Sequence, residues 1–414
     1  MLKRLRNAMR RHGLWPEAGL TNPCLGALPA ALARDERLQQ IWAGLDAHQV
    51  WDSHAHLIGT GDGGSGIRLH RDMVNPLKPL FYVQRAFYLN ASCCNEPGRI
   101  DNAFVERLLA LHEALPHGYK TMLLAFDDCY DEQGRQQGEL SAFITPNSYA
   151  RQLARDYPHR FEWIASIHPY REDCVEELER VVAAGARAIK WLPPAQGMDP
   201  ASPLCDRFYA ALVRHDIPLL THAGGENAVH GANRADLGNP LRLRRPLEQG
   251  VRVIVAHCAS LGRYRDSEHG AGRAPRDSFE LFARLMDEPA YEQRLYADIS
   301  ALTQVNRCAR PLRTIIERDE WHPRLINGTD YPLPGVMPLF SLHKLAALGY
   351  LDAGDIALLN TVRRHNPLLF DFAVKRRLRW QGKALAASIF ESRKLFESGG
   401  KGRDSAQRDS QTLA

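Results

Sequence analysis

The sequence predicts an α/β protein: a (β/α)8 barrel with an N-terminal helical extension, an insertion after the first strand and C-terminal helices. Three observations lead there. Eight short apolar runs rich in Val, Ile and Leu recur along the chain, each with the length and composition of a strand buried on both faces. Stretches with helical spacing lie between them, so strand and helix alternate as a closed parallel sheet requires. The chain has 414 residues, 44% hydrophobic and 24% charged, which suits a soluble protein of one large barrel-type domain or two ordinary ones and gives no sign of a fibre or a disordered polymer.

Residues 1–48 read as the helical extension, with Pro23 and Pro29 in loops. The first strand is "HQVWDSHAH". The connection from Leu57 to Tyr119 is longer than one helix needs, so it holds the insertion, with a helix at "NAFVERLLALHEAL". Its glycine run, "GTGDGGSG", lacks the Lys-Ser/Thr ending of a phosphate-cradling loop and is expected to be a mobile rim. Strands two to eight are "YKTMLLAFDD", "FEWIASIHP", "ARAIKWLPP", "IPLLTHAGG", "VRVIVAHCA", "RLYADISA" and "PRLINGTDYP". Helical spacing runs from Cys174 to Gly185, from Cys205 to Asp216 and from Asp277 to Pro289, with Gly185 and Pro289 as stop signals. Helices after the eighth strand complete a barrel domain over 49–395, and the polar tail 396–414 is expected to be disordered.

The formal charge of +5 comes with arginines scattered through helical stretches, so no nucleic-acid footprint is formed. The basic first twenty residues are not followed by an apolar signal core, and no run reaches the length of a membrane span. Eight cysteines without a C-x-x-C pair fit reduced thiols rather than a disulfide or zinc framework, and a cytoplasmic protein.

His54 and His56 alternate along one strand and so project to the same side, where two imidazoles can hold one divalent ion. His222, His257 and Asp330 close the fifth, sixth and eighth apolar runs. In a barrel of this type the C-terminal strand ends form the active-site face, so four imidazoles and a carboxylate converge there. Taken singly, each has a plainer role as a satisfied strand-end residue, and Asp330 as the cap of a turn. Several further residues keep two readings. His168 either faces the pocket or is satisfied at the third strand end; Trp191 either shapes substrate or packs under a loop. Glu226 either meets substrate or is solvated, and Arg263 either binds an anion or is surface charge.

"DSHAH", "THAG", "VIVAHCAS" and "INGTDYP", in this order over Val50 to Pro334, resemble the amidohydrolase superfamily. The likeness is to its amidohydrolase-related branch of TIM-barrel enzymes, which includes metal-dependent decarboxylases similar to aminocarboxymuconate semialdehyde decarboxylase. The resemblance implies that His54, His56, His222 and Asp330 hold one divalent metal, usually zinc, with manganese, iron or cobalt also suited to such ligands. It implies that His257 either binds a second metal or polarises substrate and moves protons. Lys190 on the fourth strand matches the lysine that bridges two metals in some relatives; its other reading is pairing with a carboxylate or a substrate anion. Relatives form dimers, which implies a homodimer here.

The function expected is that of a metal-dependent hydrolase acting on an amide, lactone or ester carbonyl of a small molecule. The ion makes hydroxide available near neutral pH, His257 polarises the carbonyl, and Asp330 carries the proton. Two alternatives share the sequence: a non-oxidative decarboxylase using the same site, and a non-catalytic barrel that binds a partner.

Overall fold

The apolar runs form eight parallel strands: β1 Trp51–His56, β2 Lys120–Leu124, β3 Phe161–Ile164, β4 Ile189–Trp191, β5 Leu219–His222, β6 Val253–Ala256, β7 Leu295–Asp298 and β8 Leu325–Ile326. The computed structural model describes residues 9, 12, 17, 19–226, 228–268 and 274–397. β1, β2 and β3 pair in that order, and β4 to β8 pair in sequence. A bridge between Ala165 and Ile189 joins the two groups, and one between Ala55 and Tyr331 closes the circle. The result is a TIM barrel.

Side-chain parity separates its two faces. Leu220, Ile254 and Tyr296 lie side by side on adjacent strands and fill the interior with Met122, Leu124, Ile164, Ala188 and Ile326. Two residues further along the same strands, the inward positions become Lys190, His222 and Asp298. The alternate residues, among them Trp163, Ile189, Leu219 and Val255, face the helices. Trp51 and His54 both face inward although three residues apart, because β1 carries one extra residue against β2 between Asp52 and Ala55.

The barrel floor is closed by the helix Arg393–Glu397, whose Leu395 and Phe396 join the interior cluster. Ser392 and Arg252 fasten it through the carbonyls of Trp51 and Leu395. The rest of the tail expected to be disordered lies outside the described residues. The N-terminal segment has short helices at Ala30–Ala33 and Glu36–Gln39. Asn22 and Asn90 exchange hydrogen bonds of 2.8 and 3.2 Å, and beside them Cys24 and Cys93 form a disulfide with Cα atoms 5.5 Å apart. The expectation of reduced thiols therefore applies to the other six, all buried. Sequence spacing could not foresee the bridge, because 69 residues separate its partners and only the fold brings them together.

The insertion contains two helices, Pro79–Ala91 and Ile100–His112. The glycine run between β1 and these helices is held rather than loose. Asp101, 1% exposed, accepts hydrogen bonds from the Thr60, Gly61 and Gly63 amides at 2.7, 3.1 and 3.0 Å and from Ser65 Oγ at 2.6 Å. Asp62 in turn accepts from the Ile100 and Asp101 amides at 2.9 and 3.0 Å, satisfying the free helix N-terminus. A Cβ on Gly59 would stand 2.4 Å from Asp101 Oδ1, so glycine permits this close approach rather than motion.

Asp101→Ala strands these buried amides without acceptors and is expected to cost about 3 kcal/mol in urea denaturation. It should also open 59–66 to proteolysis; an unchanged midpoint with a resistant loop would contradict the clamp.

Candidate active site

The inward polar positions at the strand ends gather beneath a cavity of about 580 Å³. His54 is wholly buried; its Nδ1 lies 2.8 Å from Asp298 Oδ2, which fixes that nitrogen as the protonated one and turns Nε2 toward the cavity. Asp330 Oδ1 lies 3.2 Å from His56 Nε2 and 3.6 Å from His54 Nε2, and its Oδ2 lies 3.9 Å from His257 Nε2. One carboxylate therefore faces three imidazoles. The His54 ring centroid is 5.2 Å from that of His56 and 5.1 Å from that of His257.

His257 follows the inward-facing Ala256, so strand parity alone would turn it outward; it reaches the cavity because it, Cys258 and Ala259 adopt left-handed backbone, with φ of 56°, 50° and 47°. Its amide donates to Asp298 Oδ1 at 2.9 Å and its Nδ1 lies 2.7 Å from Ser300 Oγ, leaving Nε2 toward Asp330. Asp330 is also left-handed, φ 59°, and its amide donates to the His54 carbonyl at 2.7 Å. Gly328 allows this approach of the β8 loop to β1, since a Cβ there would stand 2.7 Å from His54 Cβ. Below, the Asp52 carboxylate accepts from the Thr329 amide at 2.8 Å and the His54 amide at 3.2 Å, tying both ligand-bearing segments together.

Burial alone would raise the Asp330 carboxyl, but His257, His56 and His54 outweigh it and hold the group well below the usual carboxylate range. Asp298 behaves alike, burial being overcome by His54, His257 and Ser300. Burial pushes His257 down to about 3 and Lys190 down to about 8. Lys190 Nζ lies 3.1 Å from His54 Nε2, and no carboxylate stands within ion-pair distance of it among the described residues.

His54, His56 and Asp330 each offer one ligand atom within 4.8 Å of one another, as do His54, His257 and Asp298. In the second group the Asp298 oxygen is already the partner of His54 Nδ1, so the first is the better cage. His222 is 2% exposed; its Nδ1 has no hydrogen-bond partner among the described residues, and its Nε2 is 3.2 Å from Glu226 Oε2. A buried imidazole with an unpartnered Nδ1 beside a His–His–Asp cage fits a divalent ion, and nitrogen with carboxylate oxygen suits zinc, manganese, iron or cobalt.

Glu226 lines the cavity, where it accepts from the Val229 amide at 2.9 Å. Three residues singled out in the sequence stand elsewhere. His168 is satisfied by the Gln196 carbonyl at 3.2 Å and the Tyr170 amide at 3.2 Å. Trp191 faces outward by parity, stacks on Phe208 at 5.6 Å and donates to the Ile167 carbonyl at 2.8 Å. Arg263 is exposed in a two-residue ribbon and donates to the Pro275 carbonyl at 2.7 Å. Asp298 was missed, although it closes its apolar run as His222 does. Arg307 and Gln304, also on the cavity wall, leave no pattern in the sequence because they lie in the loop past β7.

A family model described as Amidohydrolase matches residues 51–367. No curated protein matches the sequence. Among solved structures, an uncharacterized TIM-barrel protein from Bordetella bronchiseptica is 15% identical over 72% of this chain and 97% of its own, with a TM-score of 0.43. A putative 2-pyrone-4,6-dicarboxylic acid hydrolase from Pseudomonas putida is 15% identical over 78% and 97%, TM-score 0.40. The 5-carboxyvanillate decarboxylase of Sphingomonas paucimobilis is 12% identical over 72% and 98%, TM-score 0.43. No helix among the described residues is long and apolar enough to cross a membrane.

Folding lowers the pKa of His168 from its ordinary 6.5 to about 3, through burial first. The unfolded chain thus binds more protons between these values, and stability falls as pH drops through that window, by at most about 1.4 kcal/mol per pH unit. His168→Gln should flatten the loss of urea midpoint between pH 6.5 and 4.5; an equal slope in both proteins would remove His168 from that dependence.

Proposed function

Because the chain belongs to the amidohydrolase family, we propose that it is a metal-dependent hydrolase of a small-molecule amide, lactone or ester. The observation that carries this reading is the division of Asp330: Oδ1 faces His56 and His54, and Oδ2 faces His257. A carboxylate so placed can hold an ion with one oxygen and receive a proton with the other.

His54, His56 and Asp330 would hold the ion, with His222 able to join them from β5. Bound there, zinc or a similar divalent ion supplies Lewis acidity and activated water near neutral pH. Asp298 keeps His54 in the tautomer whose Nε2 is free for coordination. His257 Nε2, aimed at the reacting carbonyl, stabilises the oxygen on which charge develops. Asp330 accepts the proton of the attacking water and returns it to the leaving group. Lys190, next to His54 and without a carboxylate partner, adds positive charge beside the same oxygen. The apolar walls, including Leu57, Ile67, Phe87 and Leu339, keep bulk water from the reacting atoms.

Metal analysis of protein purified without added metal should find close to one equivalent of a divalent transition metal; less than a tenth, with no gain on reconstitution, would count against the reading. Across a panel of esters, lactones, amides and aromatic carboxylates, the expected product is an acid. Carbon dioxide release without acid formation would instead establish the decarboxylase alternative. Asp330→Asn should keep the fold by circular dichroism and lose roughly 10³-fold or more in kcat. Full activity in that variant would take Asp330 out of the mechanism.

A further inference from the structure

We propose that Gln304 and Arg307 form an anion subsite in the barrel mouth, and that the substrate is an amphiphilic carboxylate whose charged group docks there while its apolar body fills the chamber. This deepens the hydrolase reading and takes from it only the position of the reacting carbonyl.

Gln304 is 4% and Arg307 8% exposed, and both side chains line the cavity. Arg307 Nη1 donates to Ser260 Oγ at 3.1 Å, but its Nε has no partner among the described residues. Gln304 Nε2 likewise has none. The Arg307 amide donates to the Gln304 carbonyl at 3.0 Å, so one turn of backbone sets both side chains on the same face. The turn is fixed from outside: the Val305 amide donates to the Leu339 carbonyl at 2.9 Å, and Lys344 Nζ donates to the Val305 carbonyl at 2.7 Å.

Among the described residues no carboxylate stands within ion-pair distance of Arg307, while Glu226 and Asp330 act on it from farther off. A buried guanidinium without a close carboxylate is unfavourable unless something else supplies an anion. Both unpaired groups are donors, so the missing partner is an acceptor. The planar fork of Arg fits a carboxylate with two parallel hydrogen bonds. Charge points the same way. With an ion in the cage, Arg307, Lys190, Arg85 and the ion exceed Asp330, Asp298 and Glu226 by two positive charges, an excess that favours an anionic ligand. The chamber beside the subsite is apolar, walled by Met73, Leu80, Val83 and Phe87, so the rest of the ligand is apolar too.

The test is calorimetric binding of 4-phenylbutyrate and its neutral amide to the full chain, metal-loaded and chelator-stripped. The loaded wild type should bind the acid roughly tenfold or more tightly than the amide. Arg307→Leu should lower acid affinity by a similar factor in both metal states and leave the amide unchanged, while Arg307→Lys keeps part of the preference. Equal binding of acid and amide by the loaded wild type, or an undiminished preference in Arg307→Leu, overturns the subsite. If Arg307→Leu lacks the native circular dichroism, Gln304→Leu and Arg307→Lys decide by the same ratio. Acid preference without cleavage of any ester, lactone or amide would sink the hydrolase reading and leave the subsite standing.

Discussion

The extra residue in β1 between Asp52 and Ala55 is the constraint on which the site depends. Without it, a strand that buries Trp51 in the barrel floor would turn His54 and His56 outward into the helix layer, since parity is fixed at two residues. With it, one strand seals the bottom of the barrel and arms the top. Asp52 sits at the irregularity and spends its carboxylate on the Thr329 and His54 amides, so the departure from regular pairing is compensated by hydrogen bonds across the β1–β8 seam.

The mouth above this seam is an exercise in shared charge. Asp330 and Asp298 stay ionised in full burial because imidazoles surround them, and His54 keeps a defined tautomer because the Asp298 carboxylate holds its far nitrogen. Left-handed backbone at His257 and Asp330 persists because the groups around it leave no room to relax: the His257 amide is bound to Asp298, and the Asp330 amide to the His54 carbonyl. The insertion roofs this cluster. Tyr88 and Gln84 of the helix Pro79–Ala91 each donate to the Ala228 carbonyl at 2.6 Å, which joins the roof to the loop carrying Glu226.

Some of the site was legible and some was not, for reasons that differ by residue. His54, His56 and His222 were legible because they end apolar strands at inward positions; Asp298 obeys the same pattern and could have been found by it. Trp191 could have been set aside by the same parity, since Lys190 before it faces inward. His168 shows the limit of the pattern: a strand-end histidine whose ring nitrogens are already used, one by a carbonyl and one by an amide. The glycine run looked mobile because composition carries no information about Asp101, forty residues away, which binds its amides.

The sequence by itself determined the alternation of strand and helix, the closure into eight strands and the imidazole and carboxylate residues at their ends, because periodicity and strand-end position are local properties. Only the tertiary structure decided which way His257 points, how Asp330 is shared among three rings, the joining of Cys24 to Cys93, and the pairing of Gln304 with Arg307 on the cavity wall. These depend on left-handed turns, a bulge and contacts between segments far apart in the chain, and none of them leaves a period that a sequence can display.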